Sequence, residues 1–116
     1  MWSKDRANLL AMLDAVRKIQ DYISGLHSAA EYFQSPMVFD ATLMNFVVIG
    51  EMVDRLSPEL KLRYPNLDWQ KVKDFRNLVA HDYLGIDAEE VWQIIHDHLP
   101  PLKTEIERIL KELPSR

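Results

Sequence analysis

The sequence predicts an all-α protein, one antiparallel helical bundle spanning residues 1–116. Two patterns carry most of that expectation: apolar residues recur at three- and four-residue spacing almost throughout, and no stretch alternates apolar with polar residues as a half-buried strand does. The third observation is that only three glycines interrupt 116 residues, of which 47% are hydrophobic, enough for a substantial core.

Each element has its own signal. Ser3 is placed to cap a first helix whose stripe is Leu9, Leu10, Leu13, Val16, Ile19, Ile23 and Leu26, with Gly25 near its end. Ser28 to Gln34 reads as a short helical connector. Ser35-Pro36 then pairs an N-cap with a first-turn proline and opens a second long helix running towards Leu56. Ser57-Pro58 repeats that start, and its helix must stop before Pro65, because proline disfavours helical geometry in the residue ahead of it. Asp68 caps the next helix, with Val72, Phe75, Leu78 and Val79 as its core stripe and Gly85 as a left-handed C-cap. Asp87-Ala88-Glu89-Glu90 has capping-box spacing ahead of Val91, Trp92, Ile94 and Ile95. Pro100-Pro101 breaks or kinks that run before a last helix with Leu102, Ile106, Ile109, Leu110 and Leu113.

Composition narrows the function classes. Eighteen acidic and fourteen basic side chains give a net charge of −4, so the whole chain has no electrostatic footprint for nucleic acid and any such contact must be local. The absence of cysteine excludes disulfides and thiolate metal sites. No signal peptide or membrane span is expected, which predicts a cytoplasmic protein, and a domain this small gains apolar burial by pairing with a second copy.

The segment from Arg76 to Tyr83 carries the candidate chemistry. At about 100° per residue Arg76 and Tyr83 project nearly the same way, and Asn77 and His81 share a neighbouring face. Arg76 and His81 lie roughly 140° apart on a regular helix, so a joint site requires either a distorted helix end or two chains. Arginine offers a planar donor array to phosphate at any working pH. Histidine can remove a 2′-hydroxyl proton or protonate a leaving 5′-oxygen, which suits RNA cleavage without a metal. Lys61, Arg63, Lys71, Lys73 and Arg76 form the locally basic part of the chain, with Lys71 and Lys73 as candidate RNA backbone contacts. The same residues also admit a structural reading, with Arg76 paired to Asp74 or Glu51, His81 bonded to backbone, and Tyr83 at the edge of the core.

Arg76-x-x-x-x-His81-x-Tyr83 resembles the signature of HEPN ribonucleases. The order Asn45, Ile49-Gly50-Glu51, Pro65, Trp69, Phe75-Arg76-Asn77, His81, Tyr83, Ile86-Asp87, Val91-Trp92 and Leu99-Pro100 resembles the HepT-like branch over most of the chain. That resemblance implies a HEPN-type bundle that forms a homodimer, with Arg76 and His81 as the catalytic pair, Asn77 and Tyr83 supporting the site, and RNA as substrate. It also implies an MntA-like minimal nucleotidyltransferase antitoxin that silences the toxin by transferring AMP to Tyr83. No cofactor or metal is implied. A role of another class, a non-catalytic helical adaptor for a nucleotidyltransferase, is implied by other HEPN domains.

Other candidates read as structural. His96 and His98 lie two apart and so point to different sides of a helix, which argues against a metal pair. Glu51 after Gly50 reads as a partner for an arginine, with Gly50 permitting close helix approach, and Met37, Met44, Met52, Trp2, Trp69 and Trp92 read as core or interface filling.

Overall fold

A computed structural model describes residues 2–113. Among them there are seven α-helices and no strand: α1 (Ser3–Ile23), α2 (Ala29–Phe33), α3 (Pro36–Arg55), α4 (Pro58–Arg63), α5 (Trp69–His81), α6 (Ala88–Asp97) and α7 (Leu99–Glu112). A short 3-10 turn, Tyr83–Gly85, follows α5. Helix α1 packs on α3 and α7, α3 on α5, and α2 and α7 on α6. One apolar core runs through the bundle, with Leu9, Met12, Val16 and Ile19 of α1 meeting Leu43, Ile49 and Val53 of α3 and Ile106 and Ile109 of α7.

Several helix starts follow the sequence signals. Ser28, Ser57, Asp68 and Asp87 each accept a backbone N–H of the first turn, and Pro36 and Pro58 occupy first-turn positions. Ser35 precedes α3 but caps nothing; its hydroxyl donates to the Glu31 carbonyl instead (3.0 Å). Ser3 is also not a cap, because the helix begins on it and Trp2 occupies the cap position. The start of α1 is held by Asp5, which is buried and accepts from both the backbone N–H (2.8 Å) and the hydroxyl (2.6 Å) of Ser57. Of the break or kink expected at Pro100-Pro101 the structure has the break: α6 ends at Asp97 and α7 starts at Leu99. The two prolines lie in the first turn of α7, where their missing N–H groups have no intrahelical partner to lose. Leu10 belongs to the stripe by spacing, yet it is exposed.

Helix α3 is the central element. Its length and mean hydropathy of 1.4 would suffice to cross a membrane, and a third of that window is buried in the fold. Asp40, Glu51 and Asp54 along it all accept hydrogen bonds from the segment carrying the candidate chemistry. The apolar side not taken up by α1 and α5 leaves Met37 86% and Met44 62% exposed.

Candidate active site

Two local devices set the position of α5. The Asp68 carboxylate caps the Lys71 N–H (2.9 Å), and the Trp69 indole donates to the Tyr64 carbonyl (3.1 Å), which closes the loop containing Pro65. Phe75 then meets Phe46 of α3 edge-on, with ring centres 4.8 Å apart, and Val79 is buried. Leu78, expected in the core stripe, is exposed and borders an open groove of about 740 Å³ between α5 and the α6–α7 pair. The physical reason is that α5 packs on α3 and makes no comparable packing with α6 or α7.

Arg76 crosses α3 at Gly50. Its Nη1 donates to Glu51 Oε1 (2.7 Å) and its Nη2 to Asp54 Oδ2, while Lys73 Nζ pairs with Asp54 Oδ1 (2.8 Å). The Arg76 Nε is buried with no partner, the sole such side-chain atom among the described residues. The Lys73 hydrogen bond, opposed by burial and reinforced by the charges of Lys73, Arg76 and Lys61, holds the Asp54 carboxyl below its ordinary value of 3.8. Between the folded and ordinary values the unfolded chain binds more protons, so this stabilising contribution is present above that range and lost as pH falls through it. Acid titration of the thermal midpoint is expected to show a shallower decline in Asp54→Asn than in wild type below about pH 4.

Beyond His81 the helix stops. Asp82 is the C-cap, its N–H bonded to the Leu78 carbonyl, and the chain tightens into the 3-10 turn. The left-handed glycine cap expected at Gly85 is absent, since no described glycine has positive φ. Gly85 serves close approach instead: a Cβ there would lie 2.6 Å from Asp82 Oδ1. Because the helix ends early, the helical spacing that aligned Tyr83 with Arg76 does not apply. The Tyr83 hydroxyl donates to Asp40 Oδ1 on α3, and this hydrogen bond pushes the phenol above its usual range. Arg76 is thus anchored on Glu51 and Asp54 and Tyr83 on Asp40, 11 to 14 residues away, roughly 16–21 Å along α3.

Asn77 and His81 are exposed and four residues apart on regular helix. Since α5 is α-helical through His81, Arg76 and His81 leave it roughly 140° apart. One chain therefore does not bring them to a common point. The basic residues also separate: Lys73 sits with Asp54, whereas Lys71 lines the groove beside Asp74 and Glu90. His96 is bonded to the Trp92 carbonyl and packs at a tilt against its ring, and among the described residues no group of three or more His, Asp and Glu could hold a metal.

Sequence reasoning foresaw the Glu51 pairing and the close approach at Gly50 but missed Asp54 and Asp40. Asp54 was detectable, lying three residues after Glu51 and four after Gly50 on one helix face. Asp40 had no such signal, because its role depends on the shape of the turn after α5.

The family model described as Ribonuclease HepT-like matches residues 12–109. A Methanocaldococcus jannaschii protein, a gamma-glutamylcyclotransferase that also carries a provisional RNase name, is 26% identical over 88% of this chain. The chain spans 46% of that relative's length. Another protein of that organism, provisionally named RNase, is 29% identical over 93% of this chain and 88% of its own length. A Thermococcus cleftensis protein provisionally named ribonuclease HepT is 25% identical over 61% of this chain and 64% of its own length. No solved structure matches the chain. With 98 of its 116 residues matched by the family model, the chain belongs to the HepT-like ribonuclease family.

Proposed function

We propose that this chain is a metal-independent endoribonuclease, the toxin of a toxin–antitoxin pair, acting as a homodimer whose two Arg76-to-Tyr83 segments line one cleft. The observation that carries the reading is that Asn77, His81 and Tyr83 are all exposed at the end of α5, in a chain of a ribonuclease family. Arg76 binds the scissile phosphate; His81 takes the 2′-hydroxyl proton or supplies one to the 5′-oxygen, leaving a 2′,3′-cyclic phosphate. Asn77 supports the phosphate, and Lys71 and Lys73 contact the RNA backbone. A minimal nucleotidyltransferase antitoxin transfers AMP to Tyr83, placing bulk and negative charge in the cleft against the incoming RNA.

Two features support the dimer. The first is the divergence of Arg76 and His81 on one helix, which a second copy removes by supplying the missing member. The second is an apolar patch around the Tyr83 contact: Met37 and Met44 flank Asp40 at three and four residues on α3, and Leu84 beside Tyr83 is 95% exposed. The pairing of Arg76 with two carboxylates favours the adaptor reading in the free chain; in the ribonuclease, RNA phosphate displaces them.

Mixing separately inactive variants tests the shared site. Arg76→Ala and His81→Ala, each lacking cleavage alone in EDTA, are expected to regain about a quarter of wild-type activity when their subunits are exchanged in equal amounts. Half of the pairs are then mixed, and each mixed pair holds one intact site of two. Absence of any recovery, with exchange confirmed by native mass spectrometry, would place the site within one chain.

A further inference from the structure

We propose that Asp40 is the base that receives the Tyr83 hydroxyl proton as that oxygen is nucleotidylated, so that the chain activates its own acceptor. The inference rests on the reading of Tyr83 as the modification target and adds to it the residue that makes this oxygen reactive.

The four tyrosines differ in the two properties a nucleotidyl acceptor needs. Tyr32 is buried and bonded to Thr42, and Tyr64 is buried although it donates to Glu112 (2.9 Å). Tyr22 is exposed but has no side-chain hydrogen bond to a carboxylate. Tyr83 alone is both open to solvent and seated on a carboxylate. An exposed position admits a large donor. The carboxylate supplies the proton acceptor already in place, since the hydroxyl hydrogen points at Asp40 Oδ1 before any donor arrives.

Proton removal is the obstacle for a phenol near neutral pH, and the Asp40 contact makes spontaneous ionisation harder still by pushing Tyr83 upward. Reaction must therefore proceed with the proton leaving as the new bond forms. The donor is a nucleoside triphosphate held by the nucleotidyltransferase. As the Tyr83 Oη–Pα bond forms, the bond from Pα to the bridging oxygen breaks and its electron pair departs with pyrophosphate. The proton passes from Oη to Asp40 Oδ1 and then to water. This is the division of labour by which a kinase aspartate accepts the proton of a substrate hydroxyl, here with the aspartate on the acceptor protein.

Asp40 is rigidly placed, on the second turn of α3, whereas Tyr83 rides on the short 3-10 turn. The other titratable group facing Asp40 is Tyr32 of α2, whose hydroxyl burial pushes up to about 12, so it stays protonated over the range of interest. His81 and Asp82 precede Tyr83 in the chain, and the Asp82 carboxylate lies over Gly85.

The test uses adenosine 5′-phosphorimidazolide, an activated AMP donor that needs no partner enzyme, on wild type, Asp40→Asn and Asp40→Glu between pH 5.5 and 9.5. Peptide mass mapping reads AMP on Tyr83 and Tyr22 of the same molecules. At pH 7 wild-type Tyr83 is expected to outpace Tyr22 by roughly 100-fold, the lower end of what a positioned base supplies, and this lead should shrink about tenfold per pH unit as pH rises, because the Tyr22 rate follows its phenolate fraction and a base-assisted rate does not. Asparagine keeps an acceptor oxygen for the hydroxyl but takes no proton, so Asp40→Asn should fall to the Tyr22 rate and keep pace with it at every pH. Asp40→Glu should recover part of the rate. A merely orienting Asp40 would leave the pH profile unchanged in Asp40→Asn. That result, or a wild-type Tyr83 no faster than Tyr22, overturns the inference. Failure of the modification reading itself shows separately, as no AMP on wild-type Tyr83 after co-expression with the antitoxin.

Discussion

Replacing His81 by alanine is expected to lower RNA cleavage by roughly 10²- to 10⁴-fold, the contribution of a positioned acid–base group, with little change in thermal midpoint. The separation of the two effects follows from its position. His81 is exposed in the last turn of α5 and its side chain makes no hydrogen bond among the described residues, so its removal leaves no buried group unpaired. Surface substitutions of that kind usually change stability by less than about 0.5 kcal/mol. Arg76→Ala should behave differently. It also abolishes cleavage, but it strips Glu51 and Asp54 of their shared cation, leaving Lys73 as the one ion-pair partner of Asp54 among the described residues. The midpoint should therefore fall along with activity. Measuring cleavage in EDTA and unfolding by circular dichroism on both variants distinguishes the roles. If His81→Ala cleaved at the wild-type rate while Arg76→Ala merely unfolded, the segment would be structural and the assignment of Arg76 and His81 as the catalytic pair would fail.

The bundle was legible because its signals are local. Serine, aspartate and proline at helix starts act on backbone groups two or three residues away, and three of the expected caps, Ser57, Asp68 and Asp87, form in the structure. Asp5 escaped notice for the opposite reason, since its partner Ser57 lies 52 residues away and an acid in a first helical turn ordinarily faces solvent. The divergence of Arg76 and His81 could be computed from helix geometry alone. The location of Tyr83 could not, because periodicity assumes a helix that continues, whereas Asp82 ends it one residue before the tyrosine and the turn carries the ring to Asp40. Leu10 and Leu78 show the other limit: spacing assigns a face, but whether anything covers that face depends on the remaining helices.

Gly50→Val is expected to be the most destabilising single change in the α3–α5 junction, and Gly50→Ala a milder version of it. A Cβ at position 50 would lie 2.2 Å from Arg76 Cβ and 2.6 Å from Arg76 Cγ, far inside contact distance. Those atoms are the root of the side chain and cannot swing away, so the helices themselves must separate. Overpacking of this kind costs about 1–3 kcal/mol and occasionally more. Against it stands a gain of up to about 1 kcal/mol from replacing glycine by alanine inside a helix. The clash should win, leaving Gly50→Ala less stable by about 1–2 kcal/mol and Gly50→Val by about 3 kcal/mol, near 10 °C in a domain of this size. Gly25→Ala provides the contrast, because nothing lies within 4 Å of the added methyl and its φ is not positive; it should be neutral or slightly stabilising. A double-mutant cycle locates the cause. The Gly50→Ala penalty should persist in an Arg76→Ala background, where the opposing Cβ remains, and disappear with Arg76→Gly, where it does not. A penalty relieved already by Arg76→Ala would mean that the guanidinium stem, rather than the helix separation, sets the cost. Glycine here is what brings Arg76 close enough to α3 to reach Glu51 and Asp54, and the same contact holds the candidate phosphate-binding arginine in place.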